Sequence, residues 1–427
     1  MSQRQAIQQE SDREKLDEAT LPHRLHHPIS AYLHLMEHAG PTAKGQKSRR
    51  EKCLAVLVGV ALAIAIAAWL LGPKIFGGPK PPSDYVGEGK EDIVIQVHEG
   101  DSGAVIAQDL LDKGVIADVG MFISAASANP KLAAIQPGYY KVRTEIPAAT
   151  AVAKLVDPEN RVGKLVIPEG KQLDDITVVG SDKPNPGIFS LISDASCLDL
   201  NGTRKCISAT DLKAAAEEGS LQSLNVPDWA VKGAGAMGQS HRRLEGLIAP
   251  GTWNIDPSSS PKEILAKLVG DSGEQYLKGG ILDAAKGLNI SPYEVLIVGS
   301  LVQKEAQPAD FAKVARVIYN RLASDYDRLE FDSTVNYPLD RQEVATTDQD
   351  RHTETPWNTY AKAGLPATPI CSPGAEALAA AEKPEPGDWL YFVTIDSDGT
   401  TLFTKDYQEH LANRDKALES GVLDSGR

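Results

Sequence analysis

The sequence predicts an α+β protein in three parts: a single N-terminal transmembrane helix, a small α+β module, and a larger α+β region. Three observations predict this. Leu54 to Leu71 is an uncharged run of 18 residues, about 27 Å as a helix and so just long enough to cross a bilayer's hydrocarbon layer. From Asp92 onward, strand-like and helix-like hydrophobic patterns alternate, and neither period persists alone. The chain has 427 residues, more than one ordinary compact domain, so several folded units are expected.

Composition sets the outer limits. Apolar residues make up 42% and charged residues 24%, which is globular and argues against wholesale disorder. The formal net charge is −14, unevenly placed. Residues 1–52 hold nine Lys and Arg against seven Asp and Glu, whereas the rest carries a balance of −16. An acidic body excludes nucleic acid as the expected partner, because phosphate binding needs a basic face. An uncharged glycan remains compatible.

The apolar run is flanked by Lys44, Lys47, Arg49, Arg50 and Lys52 on one side and by Gly72, Pro73 and Lys74 on the other. The positive-inside rule then puts the N-terminus in the cytoplasm and the C-terminal bulk outside the cell membrane. A cleaved signal peptide is the competing reading, but the run exceeds the roughly 7–15 residues of a signal core. Residues 1–52 read as a disordered cytoplasmic tail, 53–72 as the anchor, and 73–91 as a Gly/Pro-rich linker. Five of the nine histidines (His23, His26, His27, His34, His38) fall in the tail without regular spacing. Metal binding there is the less favoured reading, and no metal or organic cofactor is expected.

Of the four cysteines, Cys53 sits at the membrane edge and Cys371 is single. Cys197 and Cys206 bracket a Gly/Asn-containing stretch that suits a stapled loop outside the cytoplasm; two free thiols is the alternative.

Within 92–178, Ile93 to Val97 reads as a strand and Glu99-Gly100-Asp101 as a turn, after which Val105, Ile106, Leu110 and Leu111 recur at helical spacing. A weak echo at Ile167-Pro168-Glu169-Gly170, with Ile176 following, predicts a second strand–turn–helix unit. Residues 179–243 read as an irregular insertion rich in Gly, Pro, Ser and Asp. Signals are dense over 244–416, and 417–427 reads as a tail. Trp389 to Ile395 and Thr401 to Phe403 flank Asp396-Ser397-Asp398-Gly399, a hairpin with its own turn glycine.

The segment Ser291 to Ala306 carries the chemistry. Ser291 suits an N-cap, Pro292 the first helical position, and Glu294 a capping box. The apolar positions Val298, Leu301 and Val302 share one helical face with Glu305. A carboxyl ending an apolar stripe at a helix C-terminus meets both desolvation and the negative end of the dipole. Both favour its protonated form, which a glycosidic leaving oxygen requires. For a lone Glu, a solvated helix end is the competing reading. Next, Asp310 can cap a helix striped by Phe311, Val314, Ala315, Ile318 and Leu322, with Tyr319-Asn320-Arg321 inside it. Loop-like segments with polar and aromatic tips follow, around Asp332, Thr334 and Tyr337, then around Asn358 and Tyr360. Such groups suit sugar rings and hydroxyls, although singly each fits a core or turn role as well.

Together these motifs resemble the endolytic murein transglycosylases of the YceG-like (MltG) family. The likeness rests on Leu244-Glu245-Gly246 with Pro250 and Thr252, Ser300 to Glu305, Tyr319 to Leu322, Asp332 to Val335 with Tyr337, Asn358-Thr359-Tyr360, Gly364-Leu365-Pro366, Ser372-Pro373-Gly374, and Tyr391-Phe392-Val393. The module at 92–178 is similar to the family's LysM-like subdomain, and 244–416 to its catalytic domain. Two departures stand out: Gln303 where the family often has Glu, and Ser333 where it usually has Pro. The first leaves Glu305 as the only acid of its motif.

The resemblance implies cleavage of MurNAc-β-1,4-GlcNAc bonds within peptidoglycan glycan strands, leaving 1,6-anhydroMurNAc ends, with Glu305 catalytic. Tyr319, Asn320, Arg321, Asp332, Thr334, Tyr337, Asn358 and Tyr360 are the candidate substrate contacts, Arg321 having a structural role as its alternative. Expected partners are nascent glycan strands, the membrane that holds the anchor, and cell-wall synthases at the same surface. Two other functions stay open: a non-catalytic peptidoglycan-binding scaffold of a cell-wall synthesis complex, and a muramidase that uses water.

Overall fold

The computed structural model describes residues 83–178, 183–339, 341–342 and 346–421. The cytoplasmic tail and the anchor expected at 1–72 lie outside those residues. Among the described residues no helix is long and apolar enough to cross a membrane.

A first, small core forms around β1 (Asp92–Val97), α1 (Gly103–Asp112), α2 (Val119–Ser127), β2 (Gly138–Arg143), α3 (Ala148–Val156) and β3 (Arg161–Val162). β1 and β2 pair antiparallel from Asp92 opposite Arg143 to Val97 opposite Gly138, and β3 adds at the edge of β2. The strand alternation expected from the sequence puts Ile95 and Val97 inward, against Ile106 and Leu110 of α1 and Phe122 of α2. Ser102 and Asp118 cap α1 and α2 by accepting from the amides of Val105 and Met121.

The second core begins one residue later. β4 (Lys164–Ile167) pairs antiparallel with β8 (Gly251–Asn254), far along the chain. Only Gly163 separates β3 from β4. It adopts φ +67°, and a Cβ there would lie 1.9 Å from the Ile255 carbonyl oxygen, so glycine alone fits the joint. The boundary expected at 178 therefore moves back to 163, because Leu165 and Ile167 join the large core. The echo seen at Ile167–Ile176 forms no second helix; the segment continues into β5 (Thr177–Val178).

Nor is 179–243 irregular where it is described. It supplies α4 (Ile188–Ala195), the hairpin of β6 (Leu198–Leu200) and β7 (Thr203–Lys205), α5 (Ala209–Glu218) and α6 (Asp228–Gly235). Ile188, Phe189, Ile192, Leu212 and Leu224 from this stretch are fully buried in the large core. These helices run only eight to ten residues between stretches rich in Gly, Pro and Ser, too short for a period to stand out, which is why the sequence read as loop. A disulfide joins Cys197 and Cys206 across the β6–β7 hairpin, and Cys371 is buried and free.

Around these lie α7 (Pro261–Gly279), α8 (Ile281–Leu288), α9 (Pro292–Glu305) and α10 (Phe311–Leu322). They are followed by α11 (Asp332–Asn336), β9 (Arg341–Gln342), α12 (Asp348–His352), α13 (Ala375–Glu382), the hairpin of β10 (Tyr391–Thr394) and β11 (Thr401–Thr404), and α14 (Tyr407–Glu419). α9 is the axis of the large core: its residues from Val295 to Val298 and from Leu301 to Val302 are buried. Ser291 and Glu294 form the capping box that starts it. Asp310, by contrast, makes no cap; a short 3-10 turn at Pro308–Asp310 leads into α10 instead.

Candidate active site

Glu305 is the last residue of α9, and at Ala306 the backbone leaves the helix in an extended conformation. The stripe of Val298, Leu301 and Val302 beneath it is fully buried, so the carboxyl stands where core meets surface and is itself half-buried. Burial pushes its pKa up to about 7, and the nearby Asp332 carboxylate pushes the same way. The Ser333 hydroxyl and amide and, more weakly, Arg321 favour the ionised form. Near neutral pH the group therefore exists in both protonation states, the condition for giving a proton and taking one back.

Asp332 opens α11 and is locked in place. It accepts from Thr346 Oγ1 at 2.8 Å, from the Tyr360 hydroxyl at 2.8 Å, and from Arg351 Nη2 at 3.1 Å. Arg351 also lies over the Tyr360 ring, 5.0 Å from its centroid. Asn358 sets this arrangement from behind, donating to the carbonyls of Asp350, Arg351 and Thr353 and accepting from the Tyr360 amide. Ser333, next along α11, presents a buried hydroxyl with no hydrogen-bond partner of regular geometry beside Glu305.

The candidate contacts thus divide. Glu305, Asp332 and Tyr360 come together, with Arg321 within electrostatic reach. Thr334 instead joins a buried knot: its hydroxyl donates to the Phe331 carbonyl and lies 2.8 Å from that of Thr359. Asn358 is buried as well and acts on the loop. Tyr319 and Asn320 face elsewhere, the tyrosine hydroxyl donating to Ala381 and the amide to Gly387 and Trp389. Arg321 is buried, donating to the carbonyls of Leu390 and Leu329 beneath the rings of Tyr326 and Tyr391. A buried Arg with carbonyl acceptors is a structural tie, so for these three residues the substrate-contact assignment gives way to a packing role. Sequence reasoning did not select Ser333, Thr346 or Arg351 for the site. Ser333 could have been found, since it was already conspicuous as a departure from the family pattern.

Tyr337 donates to Glu245 Oε2 at 2.8 Å, and the Leu173 amide donates to the same oxygen at 3.2 Å. Glu245 is 1% exposed, its other oxygen has no partner, and burial raises its pKa to about 7. It ties the segment after β4 to the end of α11. A carboxyl raised in this way retains its proton in the folded state between about pH 4.5 and 7, where the unfolded chain has lost it. Stability should therefore fall by up to about 3 kcal/mol as pH rises through that window. Urea midpoints measured from pH 5 to pH 8 should fall less steeply for Glu245→Gln than for the wild type; parallel slopes would refute this assignment.

Among the described residues no group of three His, Cys, Asp or Glu is placed to hold a metal ion. Residues 95–416 match the profile of the YceG-like family. The chain is 32% identical over 179 residues to an endolytic murein transglycosylase of Bacillus subtilis, covering 42% of this chain and 49% of that protein. It is 24% identical over 336 residues to one from Streptococcus pneumoniae, covering 76% of this chain and 58% of the relative. The chain thus spans about half the length of the curated relatives it matches. A crystal structure of a yceG-like protein from Listeria monocytogenes is 26% identical, with a TM-score of 0.47, over 76% of this chain and 99% of that one.

Proposed function

The chain belongs to the YceG-like family, and on that premise we propose that it is a membrane-anchored lytic transglycosylase that cuts peptidoglycan strands internally. The observation that carries the proposal is Glu305, a carboxyl held half out of water with a pKa near 7 beside a second, fully engaged carboxylate. The curated relatives named as endolytic murein transglycosylases support the same reaction.

In the proposed reaction, protonated Glu305 gives its proton to the oxygen leaving C1 of MurNAc as the C1–O bond breaks. The C6 hydroxyl oxygen of the same sugar bonds to C1, and its proton passes to the carboxylate of Glu305. The enzyme ends as it began, and no water is consumed. One carboxyl serves twice because the substrate supplies the nucleophile, whereas glycoside hydrolysis normally needs two carboxyls. Asp332 is poorly suited as the second, since Thr346, Tyr360 and Arg351 already occupy its oxygens. We assign it to positioning Tyr360 and raising the pKa of Glu305.

The strand–helix–helix–strand unit of β1, α1, α2 and β2 supports a LysM-like role in holding glycan, and the run at 54–71 supports anchoring with the catalytic body outside the cytoplasm. Cell-wall synthases working on the same nascent strands are the partners this location favours.

Product mass tests the reaction. Anhydro-ended fragments are expected, lighter than hydrolysed ones by the mass of one water; hydrolysed ends would point to a muramidase, and no cleavage to a scaffold. The rate should fall as pH rises above about 7, where Glu305 loses its proton. Asp332→Asn removes a charge that disfavours ionisation, so its falling limb should move to lower pH. An unmoved limb would overturn that role.

A further inference from the structure

Along α13 lies a cavity of about 440 Å³ that the reaction above does not use. Its walls are mainly apolar, with Ile167 and Pro250 facing Leu378 and Ala379, and its lining includes Glu169 and Glu382 but no lysine or arginine. Tyr276 presents its ring there, because its hydroxyl donates to the Gly246 carbonyl.

The two carboxylates are not equivalent. Glu169 lies over Gly374, the N-cap of α13, where a Cβ would come within 2.2 Å of its carboxyl carbon. Its charge is thereby matched to the positive end of that helix. Glu382 is the last residue of α13, at the helix's negative end, and one of its oxygens is buried without a donor. Gly279, the last residue of α7, also lines the cavity. A carboxylate at the negative end of α13, between apolar walls, complements a cation on an alkyl stem.

The helix that lines the cavity packs on the helix that carries the site. The Gly374 amide donates to Gln303 Oε1 at 2.7 Å, two residues before Glu305, and Leu378 packs at Gly299, so α13 runs back along α9. Glu382 lies about 12 Å along α13 from that tie, the reach of roughly three or four extended peptide residues.

We propose that this cavity receives the side-chain ammonium of the diamino acid in a peptidoglycan stem peptide, with Glu382 as its counter-ion. The proposal rests on the peptidoglycan reading above and adds the stem as a recognised part of the substrate.

Calorimetric titration of the full chain carrying Glu305→Gln, which leaves ligand intact, tests it. The probes are a disaccharide–tripeptide with a free diamino-acid amine and the same compound with that amine acetylated. The free amine should bind at least tenfold more tightly. Glu382→Gln should abolish the difference, and so should Ala379→Phe, which fills the cavity from an exposed helix position. Equal binding of the two probes, no binding of either, or discrimination that survives both substitutions would overturn the proposal. Scission of strands stripped of their stems, by the chain with Glu305 intact, separates the two failures. Cleavage without amine discrimination removes only the subsite, whereas no cleavage of any strand removes the reaction itself.

Discussion

Glu305→Gln should lower the rate of strand scission by about 10²–10⁴-fold, the usual worth of a positioned general acid–base. The fold should remain intact. The substitution keeps the shape of the side chain, and an amide at a half-buried helix end has no charge to desolvate. Since the same carboxyl gives the first proton and takes the second, the loss should lie near the upper end of that range. Full-length protein assayed on purified glycan strands, with circular dichroism as the check on folding, gives the answer. Retention of more than a tenth of the activity would remove Glu305 from the centre of the mechanism.

The second large effect concerns stability. Arg321→Ala should destabilise the chain by about 2–5 kcal/mol, because each of two buried carbonyls left without its donor costs about 1–3 kcal/mol. The carbonyls of Leu390 and Leu329 would lose their donor, and Tyr326 and Tyr391 the cation between them. Those contacts join α10 to the hairpin of β10 and β11 and to the segment before α11. Chemical denaturation monitored by fluorescence should show the shift. Arg321→Lys should recover little, because one ammonium cannot reproduce the fork that reaches both carbonyls. A variant as stable as the wild type but weakened in substrate affinity would restore Arg321 to the list of substrate contacts.

How much of this was legible in advance depends on range. The helix ending at Glu305 could be read from its cap, its proline and its stripe, all local signals, and the β10–β11 hairpin from its turn. Asp332 and Tyr360 were legible singly as polar and aromatic loop tips, but their pairing was not, since 28 residues separate them. Tyr319, Asn320 and Arg321 misled for the opposite reason. Polar residues in a helix suggest a ligand, but these are taken up by backbone carbonyls from 8 to 69 residues away in the chain, and no period in the sequence shows that. The segment 183–243 was misread because its short helices depend on tertiary burial of Phe189, Leu212 and Leu224 more than on intrinsic propensity. Glu245 was quoted for its motif and its burial was not foreseen, since the partners that enclose it are Leu173 and Tyr337, 72 and 92 residues distant.

The single-residue joint at Gly163 has a mechanical corollary. With β3 hydrogen-bonded into one core and β4 into the other, a single residue carries the chain between them. A pull transmitted through that residue would meet the β4–β8 ladder first, because β4 is the next paired segment along the chain. β8 follows directly from the loop that carries Glu245, whose carboxyl holds Tyr337 at the foot of α11. The same ladder is thus one loop away from the hydrogen bond at the end of the helix that carries Asp332 and Ser333.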